Sequence, residues 1–527
     1  MSNQGVAHLS SAFGASAPRS RRRRIGDASS LGALANTGAS ALRLGCQLAL
    51  LPILARLIGP SEYGLVALAM PVVLIANVIA DGGLVQALGR LPEADRTVES
   101  SAFWVTMTVG LVLALGACAA AFPVGWAMGQ PRLPWLILAL SPILVMNSVT
   151  AVSNGRIIRE RRFGVFAMGD VLATLAGAAA ALLAATHGWG AWSLIAQQLA
   201  LWVAKLLWIT LRGGAQVGFV FRFAEVRDLI GFGANNIGAT IADFVAKNID
   251  NMIIGGVLGA TSLGYYAMAY QVVRVPDMLI SGPFWFYVFT AVSRLSHRDD
   301  RAGIRELAKS GLRLGAVALA PLFCGLALVA DLVVAVVFGP KWTGAIGPLQ
   351  LLAGAGFAFC LCSLMSAMLM GLGRAGLQFR LSLLMGASTV ATVGAAARFG
   401  LEPAAGALAC GVAAVGLYYL HQLGRTLHAS RLGLLGALAP AFIGCVALTA
   451  AVGATRQGLR DAPPALVLGA AILAGAAAYL AVVLIVARRR LAADARAFAR
   501  AHADATEREL AAEVEGVEAT KALNPAG

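Results

Sequence analysis

Residues 235–251 read Asn235-Asn236-Ile237-Gly238-Ala239-Thr240-Ile241-Ala242-Asp243-Phe244-Val245-Ala246-Lys247-Asn248-Ile249-Asp250-Asn251 inside a longer apolar run. On a helix their polar members form one stripe, because they recur at spacings of 4, 3, 4 and 3. These members are Asn236, Thr240, Asp243, Lys247 and Asp250. A charge near the middle of a spanning helix costs about 2.5–3.5 kcal/mol on insertion scales. We therefore expect the stripe to line a water-filled cavity; an Asp–Lys pair that only holds helices together is the alternative.

The same stripe occurs a second time, 200 residues earlier in the chain. Residues 35–40 align with residues 235–240, and the alignment continues without a gap from 53–82 to 253–282. The polar residues of the first copy are Asn36, Ser40, Arg43 and Gln47. An ungapped register across two helices and their loop indicates an internal duplication.

The composition indicates a membrane protein that crosses the bilayer many times. Hydrophobic residues make up 59% of the 527 residues and charged residues 13%. Apolar runs of about 20 residues recur, each able to cross a hydrocarbon core of about 30 Å. We predict an all-α fold with fourteen spans, at 31–56, 63–83, 101–122, 133–151, 165–186, 190–211, 230–258, 263–290, 311–332, 345–370, 376–397, 403–423, 432–454 and 464–487.

The basic residues set the predicted orientation. The net charge of +15 does not favour a nucleic-acid partner, because the Lys and Arg residues lie in short clusters between apolar runs. With the N-terminus inside, the alternate connections predicted to be cytoplasmic carry 27 Lys and Arg, against 6 on the opposite side. This bias predicts a multi-pass protein of the plasma membrane with both termini in the cytoplasm.

No enzyme motif stands out in the sequence. There is no G-x-x-x-x-G-K-[ST] phosphate loop and no catalytic Ser/His/Asp arrangement, so we expect neither ATP hydrolysis nor a cofactor. The seven cysteines lack metal-ligand spacing with histidine, and neither a metal nor a disulfide is expected. What remains is a set of polar groups at membrane depth, which is typical of a transport path.

These polar groups lie in the first two helices of each half. They are Asn36, Ser40, Arg43, Gln47, Asn77 and Asp81 in the first half, and Asn236, Thr240, Asp243, Lys247, Asp250, Arg274 and Asp277 in the second. Pro276, between Arg274 and Asp277, removes a backbone donor and predicts a kink. Lys205, flanked by tryptophans, favours snorkelling at an interface instead, and Asp170 is likewise predicted near an interface.

Two blocks of residues resemble a known family. Residues 56–69 (Arg-Leu-Ile-Gly-Pro-Ser-Glu-Tyr-Gly-Leu-Val-Ala-Leu-Ala) with 81–84 resemble the opening helices of Wzx-type polysaccharide flippases. Residues 248–255 (Asn-Ile-Asp-Asn-Met-Ile-Ile-Gly) and 264–267 are similar to helices seven and eight of the same family. The segment 338–342, Phe-Gly-Pro-Lys-Trp, fits as well. The family belongs to the multidrug/oligosaccharidyl-lipid/polysaccharide exporter superfamily.

The resemblance implies two six-helix lobes related by the repeat, plus two accessory helices. The corresponding predicted boundaries are a disordered basic N-terminus 1–29, lobes 30–211 and 230–424 joined by a cytoplasmic linker 212–229, accessory helices 425–487 and a cytoplasmic tail 488–527. It also implies flipping of undecaprenyl-diphosphate-linked oligosaccharides across a bacterial inner membrane for exopolysaccharide, O-antigen or capsule assembly. A polymerase and other assembly proteins are the partners it suggests besides membrane lipids.

The candidate site residues follow from chemistry and resemblance together. Arg43, Lys247 and Arg274 are candidates to neutralise a diphosphate, and Asn36, Ser40, Gln47, Asn236 and Thr240 to bond sugar hydroxyls. Asp243, Asp250 and Asp277 are candidates for ion coupling. Three alternatives stay open: an ion-coupled drug or metabolite exporter of the same superfamily, a membrane polysaccharide polymerase or ligase, and a structural partner of a synthesis complex with no transport of its own.

Cysteine labelling tests the predicted orientation. In a background without native cysteines, His187→Cys should react with an impermeant thiol reagent added outside, whereas Glu160→Cys should react only after the membrane is opened. The expectation rests on the distribution of Lys and Arg. The reverse pattern of labelling would contradict the topology.

Overall fold

The computed structural model describes residues 19–81, 88, 95–160, 162–215, 217–297, 300–488 and 492–493, without the side chains of 19–37, 77–81, 223–247, 283 and 297. Every regular element in these ranges is a helix. They are labelled here α1 Arg19–Leu57, α2 Pro60–Asp81, α3 Arg96–Ala127, α4 Leu133–Arg159, α5 Phe163–Thr186, α6 Ala191–Gly213, α7 223–258, α8 260–297, α9 Arg301–Leu328, α10 Ile346–Gly371, α11 Ala375–Ala397, α12 Leu401–Leu427, α13 Arg431–Gly458 and α14 Pro464–Arg488.

The helices agree with the predicted spans. In the described ranges, twelve stretches are long and apolar enough to cross a membrane, and one of them, Asn248–Ser296, contains the end of α7 and most of α8. Gly259 separates these two helices with φ +81° and ψ 176°, a conformation that favours glycine. Dividing the long stretch there and adding α2, whose apolar part is shorter, gives fourteen segments. The predicted all-α polytopic class is confirmed.

The chain divides into two compact units. The first comprises residues 1–57, 69–124 and 132–242, and the second comprises 58–68, 125–131 and 243–527. The lobe boundaries predicted from the sequence stay a prediction.

In the first unit, α5 packs against α6 and α1, and α4 packs against α6. Close packing depends on small residues: a Cβ on Gly177 would lie 3.0 Å from the carbonyl oxygen of Gln197 on α6. Without a hydrophobic driving force between helices in lipid, such close backbone approach is the main source of attraction.

In the second unit, α10 is the central helix and contacts α8, α9 and α12. Its buried side chains include Leu364, Met365, Met368 and Leu369. The predicted accessory helices α13 and α14 pack on α9 through the apolar side chains Val329, Leu448, Val452, Ala471, Tyr479 and Val483.

Polar contacts reinforce the attachment of the accessory helices to α9. The Tyr479 hydroxyl donates to the carbonyl oxygen of Val317 at 2.8 Å. Arg456 donates to both carboxylate oxygens of Asp331 and to the carbonyl oxygen of Leu328. These bonds satisfy backbone and side-chain groups that lipid cannot satisfy.

A buried carboxylate joins α3 and α4 at their predicted cytoplasmic ends. Glu99 is 2% exposed and accepts from Arg159 at 2.6 Å and from Arg156 at 3.5 Å. Just beyond α4, burial opposes ionisation of Glu160, yet Arg156 and Arg162 hold the pKa of that carboxyl below its usual value. Arg156 and Arg159 therefore have two roles. They belong to the basic residues that predict the orientation, and they connect α4 to α3 through Glu99.

The segment between α6 and α7 is bound to the start of α3. Ser100 Oγ accepts from the Gly218 amide at 2.8 Å, and Ser101 Oγ accepts from the Arg222 amide at 2.9 Å. Trp104 Nε1 donates to the carbonyl oxygen of Gly218 at 3.0 Å. The connection is therefore held against the first unit up to the residue that precedes α7.

Candidate functional site

The candidate residues of α1 lie on an exposed side of the helix. Ser40, Arg43 and Gln47 are all exposed, and the Arg43 side chain retains 48% of its accessible surface. Their spacing of three and four residues places them on neighbouring turns of one face. The Asn36, Asn77 and Asp81 side chains are outside the described residues.

Arg43 belongs to a charged cluster that the sequence did not predict. Lys205 on α6 donates to Asp170 on α5 at 2.9 Å, and Arg43 Nη1 lies 3.9 Å from the other Asp170 carboxylate oxygen. The Lys205 ammonium also lies 5.0 Å from the Phe166 ring centroid and 5.8 Å from that of Trp202. We call Arg43, Asp170 and Lys205 the charged triad.

The charged triad lies within the spans. Asp170 is seven residues inside α5 and Lys205 eight residues before the end of α6, which places them about 10–12 Å from those helix ends at about 1.5 Å per residue. Lys205, predicted to snorkel, instead pairs with Asp170, because its side chain is 18% exposed and the carboxylate is within reach. Two cations share one carboxylate, so the triad carries one net positive charge.

For four of the five polar residues of the stripe on α7, the structure describes the backbone alone. The backbone of Asn236, Thr240, Asp243 and Lys247 is helical, but these four side chains are outside the described residues. Asp250 is described, and it is buried, with 4% exposure. It accepts from the Tyr266 hydroxyl at 2.6 Å and from the Asn251 amide at 2.9 Å. The expectation that Asp250 lines a cavity is therefore corrected: the turn at Gly259 brings α8 back, and Tyr266 covers the carboxylate.

Arg274 and Asp277 lie on either side of Pro276 on α8. Arg274 is exposed, and Asp277 begins a π-helical turn, Asp277–Ser281. Proline has no amide hydrogen to continue the α-helical pattern, which explains why the predicted kink takes this form here. Asp277 accepts a hydrogen bond from Cys360 of α10 at 3.4 Å.

The two copies of the repeat meet within the second unit. A Cβ on Gly64 would collide with the carbonyl oxygen of Ala260, and a Cβ on Gly264 would collide with the carbonyl oxygen of Pro60. Gly64 and Gly264 are matching positions of the repeat, so α2 and α8 cross backbone to backbone where both copies have glycine. Only glycine permits this approach.

A tryptophan joins the residues that flank this crossing. Trp342 is fully buried and packs edge-on against Tyr63, with ring centroids 5.7 Å apart, and against Tyr265 at 6.2 Å. Such edge-to-face arrangements suit the charge distribution of aromatic rings. We call Tyr63, Gly64, Gly264, Tyr265 and Trp342 the junction. Three separate segments that carry the family resemblance thus form one contact.

The sequence did not predict these contacts. Trp342 and Tyr63 stand out in the sequence only through the resemblance, and Lys205 and Asp170 each lie close to a predicted helix end. A search for opposite charges on neighbouring spans at equal depth would have paired Lys205 with Asp170. No group of three His, Cys, Asp or Glu residues able to hold a metal occurs in the part of the chain that the structure describes.

Comparison with known proteins gives one family and several relatives. The model of a polysaccharide biosynthesis protein family matches residues 53–347. The succinoglycan biosynthesis transport protein ExoT of Rhizobium meliloti is 28% identical over 353 residues, which cover 67% of this chain and 70% of ExoT. The lipopolysaccharide biosynthesis protein WzxC of Escherichia coli is 25% identical over 345 residues, or 65% of this chain and 70% of WzxC.

A solved structure shows the same fold. The lipid II flippase MurJ, in an inward closed conformation, aligns with a TM-score of 0.69 over 88% of this chain and 99% of MurJ. The sequences are 13% identical, so the likeness concerns the fold alone.

Substituting the glycines of the junction should destabilise the protein. Gly64→Ala and Gly264→Ala should each lower the free energy of unfolding by about 1–3 kcal/mol, because a methyl group must displace backbone. Thermal unfolding of the purified protein measures the change. Gly45→Ala is the matched control, since a Cβ there meets no atom within 4 Å. Equal melting temperatures for Gly64→Ala and Gly45→Ala would contradict the crossing.

Proposed function

The chain belongs to the polysaccharide biosynthesis protein family, and from this premise we propose that it flips undecaprenyl-diphosphate-linked oligosaccharide units from the inner to the outer leaflet. Two of the similar proteins support a transport role. ExoT is a transport protein of succinoglycan biosynthesis, and MurJ is a lipid II flippase with the same fold. The protein is a transporter and not an enzyme. Its product would feed the assembly of a surface polysaccharide.

The charged triad is the observation that carries this proposal. A cluster with one net positive charge inside the spans is costly unless it serves a negative ligand. Arg43 is half exposed, and its guanidinium is suited to two parallel hydrogen bonds with a phosphate group. A diphosphate that joins a lipid to a sugar supplies the negative charge at membrane depth. Lys247 and Arg274 remain candidates for the same role in the second half.

The junction is suited to act as the outer gate of an alternating-access cycle. Its residues follow or precede the predicted outer connections, on the side where the sequence has few Lys and Arg. The contact between α2 and α8 is made by glycine backbone and three aromatic rings, and the Tyr63 hydroxyl donates to Gln271 at 2.7 Å. We infer that this contact separates when the substrate leaves to the outer leaflet.

The location follows from the membrane fold and the charge bias. We infer a bacterial inner membrane with both termini in the cytoplasm, and a polymerase and other assembly proteins as partners. The polar residues of α1 and α7 are proposed to form hydrogen bonds with the sugars. They are Asn36, Ser40, Gln47, Asn236 and Thr240.

A drug exporter is the less favoured function, because a cationic drug would be repelled by the charged triad. A polymerase or ligase is not favoured by the relatives.

Removing the cations should abolish transport while leaving insertion intact. Arg43→Ala, Lys247→Ala and Arg274→Ala should each lower flipping at least tenfold, because each leaves diphosphate charge without its partner, at a cost of about 1.5–3 kcal/mol. Flipping of lipid-linked oligosaccharide in proteoliposomes measures the loss. Arg398→Ala is the control, since Arg398 lies against Phe399 at a predicted outer end of a span. Wild-type rates in all three variants would contradict diphosphate binding.

Asp250 is the best described candidate for ion coupling, and Asp243 and Asp277 are the others. A buried carboxylate whose side-chain partner is a tyrosine hydroxyl is costly when charged, and a proton removes that cost. If Asp250 gains and loses a proton during the cycle, Asp250→Asn, which is permanently neutral, should abolish the acceleration that a proton gradient gives. The rate of flipping is measured in proteoliposomes with an imposed proton or sodium gradient, for the wild type and for Asp243→Asn, Asp250→Asn and Asp277→Asn. Gradient-independent flipping by the wild type would contradict ion coupling.

A further inference from the structure

A cavity with both polar and apolar walls lies beside the π-helical turn of α8. Its volume is about 330 Å³, and all of its lining residues belong to the second unit. They are Asp277, Met278, Ser281, Gly282, Trp285 and Ser363. Small-molecule sites in proteins have volumes of about 300–1,000 Å³, so this cavity suits a single small ring. The residues around it therefore decide which kind of ring it fits.

The wall formed by Asp277 and Ser281 has unused hydrogen-bonding capacity. Within the described residues, Asp277 accepts from Cys360, a weak donor, although a carboxylate has about four acceptor positions. Ser281 is 3% exposed, and its Oγ makes no hydrogen bond of standard geometry in the ranges that the structure covers. Its contact with the Cys360 thiol is weak and leaves hydrogen-bonding capacity unused. Both groups are suited to a ligand that carries hydroxyl groups.

The π-helical turn Asp277–Ser281 forms part of the cavity wall. Its first and last residues, Asp277 and Ser281, both line the cavity. Ser363 on α10 adds a second hydroxyl from a different helix. Irregular backbone at membrane depth is tolerated where it is buried in protein or lines a cavity, and π-bulges are frequent at functional sites.

Trp285 gives the cavity a flat apolar side. Its ring stacks on Phe289 with centroids 5.4 Å apart and an interplanar angle of 11°, which fixes its orientation. A sugar ring has one face of C–H groups that packs on an aromatic ring and a rim of hydroxyl groups that need hydrogen bonds. Carboxylate, hydroxyls and a fixed indole together match both parts of a sugar.

We propose that this cavity binds one sugar ring of the lipid-linked oligosaccharide, which rests on the proposed function. Asp277 accepts hydrogen bonds from sugar hydroxyls, Ser281 and Ser363 donate or accept, and Trp285 packs on the C–H face. Arg274 lies one helical turn before Asp277 and is exposed. It is therefore placed to bind the diphosphate to which the first sugar is attached.

A metal ion fits this cavity less well. The cavity offers one carboxylate and two hydroxyls, and no cluster of three His, Cys, Asp or Glu residues is found in the described ranges. Hard cations take six or more oxygen ligands, most of them charged or carbonyl groups. The indole wall would also have no role in binding an ion.

Binding measurements with and without a sugar test the proposal. Full-length protein in lipid nanodiscs is titrated with undecaprenyl diphosphate and with undecaprenyl diphosphate that carries glucose, galactose or N-acetylglucosamine. The wild type should bind at least one sugar-bearing lipid about tenfold more tightly than the sugar-free lipid. Asp277→Asn should remove this difference because the charged acceptor for the sugar hydroxyls is lost, and Trp285→Ala because the surface that packs on the C–H face is lost. Both variants should keep the affinity for the sugar-free lipid.

Two further variants separate the sugar site from the diphosphate site. Phe379→Ala is the control for Trp285, since Phe379 on α11 is an aromatic residue of the same unit that is 57% exposed and not part of the cavity wall; it should keep the sugar preference. Arg274→Ala should weaken both kinds of lipid alike. Trp285→Phe, which keeps an aromatic face, should retain part of the preference.

The outcomes distinguish this site from the proposed function. Equal wild-type affinity for all four lipids, or a sugar preference that survives Asp277→Asn and Trp285→Ala, would overturn the sugar site while leaving diphosphate binding intact. No binding of any of the four lipids would overturn both. Protection of Ser363→Cys from a thiol reagent by sodium ions, but not by a sugar-bearing lipid, would show an ion site and would also overturn the proposal.

Discussion

The cost of a polar group without a partner inside hydrocarbon determines much of this structure. Asp170, Asp250 and Asp277 all lie within the spans, and each accepts a hydrogen bond from a different helix or a later turn. The donors differ in strength: an ammonium, a phenol and a thiol. Asp170 has a charged donor, which makes the strongest of the three bonds, whereas the neutral donors of Asp250 and Asp277 bind their carboxylates less strongly.

The duplication accounts for one close crossing between helices. Each copy carries glycine at the start of its second helix, Gly64 in one and Gly264 in the other, and the two backbones meet there. Repeats of the same sense, related by an axis along the membrane normal, bring equivalent positions together near that axis. The contact consists of glycine backbone and aromatic rings, which are groups that can separate without breaking an ion pair. This composition is consistent with the gate role proposed above.

Local sequence patterns predicted the elements but not their contacts. Hydropathy and the charge bias predicted fourteen helices, because span length and flanking charge act within one segment of chain. Lys205 and Asp170 are 35 residues apart, and Tyr63 and Trp342 are farther apart still; which faces meet depends on the rotation of each helix about its axis. The stripe on α7 had the right period but did not show that Tyr266, beyond the turn at Gly259, covers Asp250. The burial of Asp250 therefore depends on the neighbouring helix α8.

The sharing of Asp170 by two cations bears on how a substrate is released. A cation with a full counter-ion binds a phosphate weakly, because the phosphate must displace the carboxylate, and a cation without one binds too tightly to let the phosphate leave. Lys205 lies 2.9 Å from Asp170, whereas Arg43 lies 3.9 Å away and is half exposed, so the carboxylate compensates the two unequally. For the proposed diphosphate substrate, this means that Arg43 is the cation with more capacity to bind a phosphate, while Lys205 keeps its bond to Asp170. A transporter needs such intermediate affinity, since only a difference in contacts between its two states moves the substrate across.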